Sequence, residues 1–374
     1  MYVDRKLSWI VVPFVLVITT IGAWAVADMR EKREADSIAG KMKTVCVGRF
    51  LIDMPADAQV ELVQPRISGF DIGSFDESVE EFQARLAERE RHMKAQPDHP
   101  GKRPYLESVK EVKTDKGVVG KIFVHGRQVT EGTRARGIEI ENYRYEGVAV
   151  EALVHGAGIS VDISNNYYFP DRVDRLVHLV DRLNPNPENR IPTAPGFCVN
   201  HACFNSPPDA VRGEQVMMFA TLPRYPDVAF MLILAAGTKS DEDGLLERDS
   251  AAASLLSLAD RVRTTKLRAG KRNIDGLAGE EVIRTIAQEN AGSGFDAWWE
   301  VNGTENNVFI PHMVFKMSTG TGSKGPLPSS LSQGAAMALW DKISSSIGVR
   351  PQHSRHLPAP SCRIHRQPRA ELAP

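Results

Sequence analysis

The hydrophobic pattern changes character once near the start of the chain. Arg5 and Lys6 precede an uncharged run from Leu7 to Ala27 that is apolar on every side. As a helix, such a run is long enough to cross a hydrocarbon core of roughly 30 Å. It ends in Ala25-Val26-Ala27, a small-x-small pattern that suits signal peptidase. A cleaved signal peptide and an uncleaved anchor therefore both fit residues 1–27. Either places the remainder outside the cytoplasm, beyond a charged linker at 28–41.

After the linker the pattern becomes that of a soluble body, and it occurs twice. Cys46-Val47 runs to Pro55 at the opening of one half, and Cys198-Val199 runs to Pro207 at the opening of the other. In the first half an extended stretch, Gln59 to Phe75, leads to a helix from about Glu77 to Met93. Val79, Phe82, Leu86 and Met93 fall on one face, with Ser74 and Glu77 as a capping box. In the second half Gln215 to Ala236 reads as strand. A helix from Gly244 to Val262 follows, carrying Leu245, Ala252, Leu255, Ala259 and Val262 on one side. Glycine-flanked turns at Gly117–Gly120 and Gly276–Gly279 then enter further strands. In the first half the turn enters a strand at Ile122, Phe123 and Val124, and two more follow, Ile138 to Tyr145, ending near Gly147, and Val148 to Ile163. In the second it enters a strand at Val282 and Ile283, followed by Phe295 to Val301, ending at Gly303, and Pro311 to Met317. Each half closes with an amphipathic helix, Asp171 to Leu183 and Leu331 to Ile347, stopped near Pro185 and Pro351.

Each half thus reads β-β-α-β-β-β-α. The expected fold is α+β, with two tandem similar domains, each a mostly antiparallel sheet with two helices, preceded by the N-terminal membrane or signal helix. The segments are an N-terminal domain at 42–187, a proline-rich linker at 188–195, a C-terminal domain at 196–351 and a disordered tail at 352–374. Pro185, Pro187, Pro192 and Pro195 make the connection stiff.

Composition changes this picture little. The 374 residues suit two domains, and 42% hydrophobic with 25% charged residues is ordinary for globular proteins. With 46 basic and 47 acidic residues the net charge is −1, which argues against nucleic acid as a partner. Four cysteines, Cys46, Cys198, Cys203 and Cys362, can pair outside the cytoplasm. Cys46, Cys198 and Cys203 are the candidates for a disulfide, with connectivity left open.

No catalytic pattern emerges. The chain lacks a Gly-x-Ser-x-Gly elbow, a His-Glu-x-x-His helix and a phosphate-binding Gly-x-x-x-x-Gly-Lys loop. Gly320 to Gly325 fits Gly-x-Gly-x-x-Gly, but Pro326 and Pro328 follow where a dinucleotide site needs a helix. Cys198 to Cys203 offers three ligands and no fourth. His125, His155, His178 and His312 are scattered and read as surface or satisfied residues, and Asp162 as facing solvent. Trp298-Trp299 and Tyr167-Tyr168-Phe169 should each send one ring to the core, leaving another to anchor a protein partner. No catalytic residue, cofactor site or metal site is expected.

Thr44-Val45-Cys46-Val47-Gly48-Arg49-Phe50-Leu51-Ile52-Asp53-Met54-Pro55, and Pro195-Gly196-Phe197-Cys198 opening the second half, resemble the type VI secretion immunity proteins paired with lipase effectors of the fourth class. The resemblance covers roughly residues 42–351. It implies a periplasmic, non-enzymatic protein that binds a cognate lipase effector and blocks its active site. If the N-terminal helix stays uncleaved, the inner membrane is a second partner. The competing expectations are an envelope enzyme with an unrecognised site and a membrane-tethered binding or adaptor module.

Overall fold

The alternation in the second half builds the hairpin β12 (Glu214–Leu222) and β13 (Tyr225–Ala236). Val216, Met218, Phe230 and Leu232 are buried on one face, while Met217, Phe219, Met231 and Ile233 alternate onto the other. The computed structural model describes residues 31–351 apart from 32, 99–102, 138, 206–212, 238–242, 289–291 and 323–324. The expectations for 1–27 and for the tail at 352–374 lie outside the described residues, among which no helix is long and apolar enough to cross a membrane.

Around that hairpin the second half adds β14 (Thr264–Ile274), β15 (Leu277–Gln288), β16 (Gly292–Val301) and β17 (His312–Ser318). The first half supplies β3 (Gln59–Ile67), β4 (Phe70–Asp76), β5 (Leu106–Lys113), β6 (Val119–Arg136), β7 (Glu139–Gly156) and β8 (Ile159–Tyr168). All twelve form one sheet, ordered β14-β15-β16-β17-β13-β12-β3-β4-β8-β7-β6-β5. The order repeats on either side of a seam where β12 pairs antiparallel with β3, Met218 opposite Leu62 and Phe219 opposite Glu61. Strand pairing, rather than the proline-rich stretch, joins the halves.

A second layer lies on the inner face. β1 (Met42–Val47) and β2 (Phe50–Pro55) form one hairpin, β10 (Phe197–Val199) and β11 (Ala202–Phe204) another. Each takes its third strand from the close of the other half. β2 pairs with Gly348–Val349, and β11 with β9 (Leu183–Pro185). The hairpins meet where Gly48 and Cys198 exchange backbone hydrogen bonds of 3.1 and 2.8 Å. Cys46 and Cys198 are joined there by a disulfide, with Cα atoms 5.9 Å apart. Gly48 has φ +56°, and a Cβ on it would lie 3.0 Å from the Phe197 ring, so the approach requires glycine. Beside it Arg49 donates from Nε to Glu214 of β12 at 2.6 Å, and both side chains are buried.

The helices are shorter than the periodicity predicts. The first spans Val79–Lys94 and is capped by Ser78 with Glu81, not by Ser74 with Glu77. Ser74 lies inside β4, and Glu77 is engaged by Arg85. The predicted helix from Gly244 to Val262 breaks into Leu245–Leu255 and Leu258–Arg263. Ser257 starts the second piece, because its hydroxyl accepts from Asp260 N–H at 3.2 Å and so competes with helix continuation. The closing helices are Asp174–Asp181 and Gln333–Ser344. The expected break at Gly147 is absent, and β7 runs on to a turn at Ala157-Gly158 in left-handed backbone. β5 and β14 escaped the sequence reading because they are edge strands rich in charge, which blurs alternation.

The structure predicts that opening the seam is costly. Cys46→Ala removes a cross-link spanning 152 residues and should lower unfolding free energy by about 2–5 kcal/mol in urea titrations. Glu214→Ala breaks the buried ion pair with Arg49 and should cost about 3–5 kcal/mol by the same measurement.

Candidate interaction surface

A dense group of polar side chains lies between the Val79–Lys94 helix and β6–β8. Arg85 bonds Glu77 at 2.9 Å and Asp162 at 2.8 Å, and Arg89 pairs with Glu151. His125 Nε2 is 3.1 Å from Glu151, and His155 Nδ1 is 3.1 Å from the Ser160 hydroxyl. Asp162, expected to face solvent, is instead half-buried under Arg85, while both histidines are buried. Ser160 donates to Glu77 and so sits between the acid and His155. A nucleophilic triad needs the histidine in the middle and the hydroxyl exposed; Ser160 is fully buried. These groups dock the helix through charge-assisted bonds, together with Phe82, Leu86 and Met93 packed against Phe123 and Leu153. Burial pushes the Glu151 carboxyl up, but hydrogen bonds from His125 and Arg89 outweigh it and bring the pKa down to about 2.

The other sequence candidates resolve into structure. Cys203 is a buried free thiol directly across β10–β11 from Cys198, and burial pushes its pKa up despite nearby Arg350. His201 sits at the hairpin turn with Nδ1 2.9 Å from the Pro187 carbonyl. Among the described residues no group of His, Cys, Asp and Glu could hold a metal. The glycine loop after β17 is pinned by buried Asp227, which accepts from Gly320 and Ser330 N–H groups at 3.0 Å. Loop residues 323–324 lie outside the described residues. Trp299 is buried and donates to Arg272 C=O at 3.0 Å, whereas Trp298 faces the outer side under Lys316, 3.5 Å from the ring centroid. Tyr168 is buried while Tyr167 and Phe169 are exposed.

Among the described residues, apolar side chains reach solvent in several further places, three of which stand out. On the outer face, Met217, Phe219, Met231 and Ile233 of β12 and β13 lie beside the seam. The β6–β7 hairpin extends beyond its neighbours from Gln128 to Gly147, exposing Val129, Ile140 and Tyr145. The third is the corner between the two short helices. Leu245 is buried as expected, but Leu255, Leu258 and Val262, predicted or adjacent to the predicted core side, are 86%, 79% and 77% exposed. Exposure begins before the break, with Ser250, Ala251 and Ala252 also exposed.

A large antiparallel sheet with inner hairpins and several exposed apolar surfaces is an architecture suited to binding another macromolecule. Family models of the Tle cognate immunity protein 4 match in order: the N-terminal domain over residues 43–149 and the C-terminal domain over 190–352. Together they span most of the chain, which belongs to that immunity-protein family. Its members are inhibitors, not enzymes. The chain is similar to the apo structure of the immunity protein TplEi of the type VI secretion system from Pseudomonas aeruginosa, and to the same protein complexed with "L" peptide. Identity is 24% in each case, with a TM-score of 0.64, over 83% of this chain and 98% of that one. It is likewise similar to a chain of the Tle4–Tli4 complex, at 25% identity and TM-score 0.64 over the same shares. No curated protein sequence matches the chain.

The low carboxyl pKa makes stability depend on acid. Glu151 contributes stability that is present above its ordinary value of 4.5 and lost as pH falls towards about 2. Thermal melts between pH 6 and 2 should show this loss, and Glu151→Gln should flatten that limb while lowering the melting temperature at neutral pH.

Proposed function

We propose that the protein binds a cognate type VI lipase effector and inhibits it sterically in the periplasm, protecting the producing cell's own phospholipids. The observation that carries the reading is the ordered match of both immunity domains on one continuous sheet. The complex formed by the related Tle4–Tli4 pair supports the choice of partner. Steric inhibition suits a body that supplies a large preorganised surface and no reactive group among its described residues. The compartment is supported by the export-type segment at 1–27 and by the Cys46–Cys198 disulfide, since such bonds persist in oxidising surroundings. The segment acts either as a cleaved signal or as an inner-membrane anchor.

The test uses residues 28–351 as bait for the lipase encoded beside the gene, with phospholipase activity measured with and without bait. A stable complex with lost activity is the expected result. No complex at micromolar concentration, with the lipase untouched, overturns the assignment for that partner.

A further inference from the structure

We propose that Cys203 is the exchange partner of the Cys46–Cys198 disulfide: its sulfur takes Cys198 from Cys46, releases the covalent staple across the seam and leaves a thiol at Cys46. This exchange stands apart from the choice of binding partner, because it concerns how the two halves are held to one another.

Strand register places the sulfurs together. Cys46, Cys198 and Cys203 form one buried cluster with Leu51 packed against it. Cys198 commits its backbone N–H and C=O to Gly48, at 2.8 and 3.1 Å. In an antiparallel ladder the two groups of one residue point to the same side, so here both point away from β11. Cys198 and Cys203 are therefore a non-hydrogen-bonded pair of the β10–β11 hairpin. In such pairs the Cα atoms lie about 4.5 Å apart, with the side chains close together on one face. That separation falls in the window of roughly 4.4–6.8 Å that a disulfide accepts. Cys46 and Cys198, at 5.9 Å, fall in the same window. Cys198 thus has one partner across the seam and another in its own hairpin.

The reaction needs no outside oxidant or reductant. Cys203 gives up its proton and its thiolate attacks the Cys198 sulfur. A Cys198–Cys203 bond forms as the Cys46–Cys198 bond breaks, and the electron pair leaves on Cys46, which takes up a proton. Burial pushes the Cys203 thiol up and keeps the attacking thiolate scarce, while the Arg350 guanidinium beside it favours the charged form. The staple therefore persists at rest and still has a route to move. The two bonds differ in what they hold. The bond to Cys46 spans 152 residues and both halves, whereas a bond to Cys203 ties a single hairpin. Closing a short loop costs less entropy, so the hairpin bond is the easier one to make before the halves dock. Docking through Gly48 brings in Cys46, and the same exchange in reverse installs the staple.

The sulfurs also differ in access. A cavity of about 380 Å³ is lined by Thr44, Cys46, Leu62, Cys198 and Asn200 among others, and Cys203 is not part of its lining. A small reagent entering there meets a released Cys46 thiol in preference to Cys203.

The test holds the purified full chain folded at pH 8 with iodoacetamide, without added thiol or denaturant. Samples are quenched in acid and digested, and mass spectrometry maps all four cysteines. The expected result is an adduct accumulating on Cys46 together with a Cys198–Cys203 bond. Both should be lost in Cys203→Ser, which keeps the Cys46–Cys198 bond. Cys46→Ser, oxidised in parallel, should carry the Cys198–Cys203 bond. An adduct on Cys203 with the Cys46–Cys198 bond intact overturns the exchange, as does that bond surviving prolonged incubation with neither cysteine labelled. Free thiols at both Cys198 and Cys203 in folded Cys46→Ser, or a bond from any of the three to Cys362, also overturn it. If Cys46→Ser does not fold, the wild type and Cys203→Ser decide between these outcomes.

Discussion

Everything in this molecule depends on how the halves meet at the β3–β12 seam. Backbone pairing there turns two six-stranded sheets into one, and the disulfide and the Arg49–Glu214 pair hold the inner hairpins across it. The exchange of third strands adds to the constraint: β2 needs the end of the chain and β11 needs the end of the first half. Neither half can complete its inner layer alone, which couples their stabilities more tightly than a proline-rich connection would. Such cross-seam contacts are of long sequence separation, so loop-closure entropy opposes them until many form together.

The two faces of the sheet divide the work. The inner face is sealed by the hairpins and closing helices, with Trp340 stacked 5.0 Å from Phe315 and Arg350 donating to the Arg49 carbonyl region of the seam through its backbone N–H at 2.9 Å. The outer face is covered only in part. The Val79–Lys94 helix is bound down by Phe82, Leu86 and two arginine-centred ion networks. Its counterpart in the second half is anchored at its start through Glu280 and Glu300 and exposes most of its residues from Ser250 onward. The two helices differ because one keeps large apolar anchors over the sheet, while the other carries alanines at 251–253. A rigid body with an incompletely covered face is what a steric inhibitor requires: preorganisation limits the ordering cost at association.

Much was legible in the sequence. Alternation and 3.6-residue periodicity located the β12–β13 hairpin, the amphipathic helices, the antiparallel α+β class and the repeat of elements, because each is a local pattern that burial of one face imposes. The resemblance at residues 44–55 and 195–198 pointed to the immunity family. What stayed hidden is non-local. Nothing in the spacing of Cys46, Cys198 and Cys203 selects a partner; pairing follows from two hairpins brought together through Gly48. The burial of Asp162, His125 and His155 came from a helix docking over strands far away in the chain. Leu255, Leu258 and Val262 are exposed where the expected helix is interrupted at Ser257, whose local hydrogen bond competes with the continuity that hydrophobic periodicity suggests. Elements, class and family were therefore set by residue order alone, whereas the seam, the disulfide partner and the surface left free for binding were decided only by tertiary structure, because each depends on which distant segments share a face.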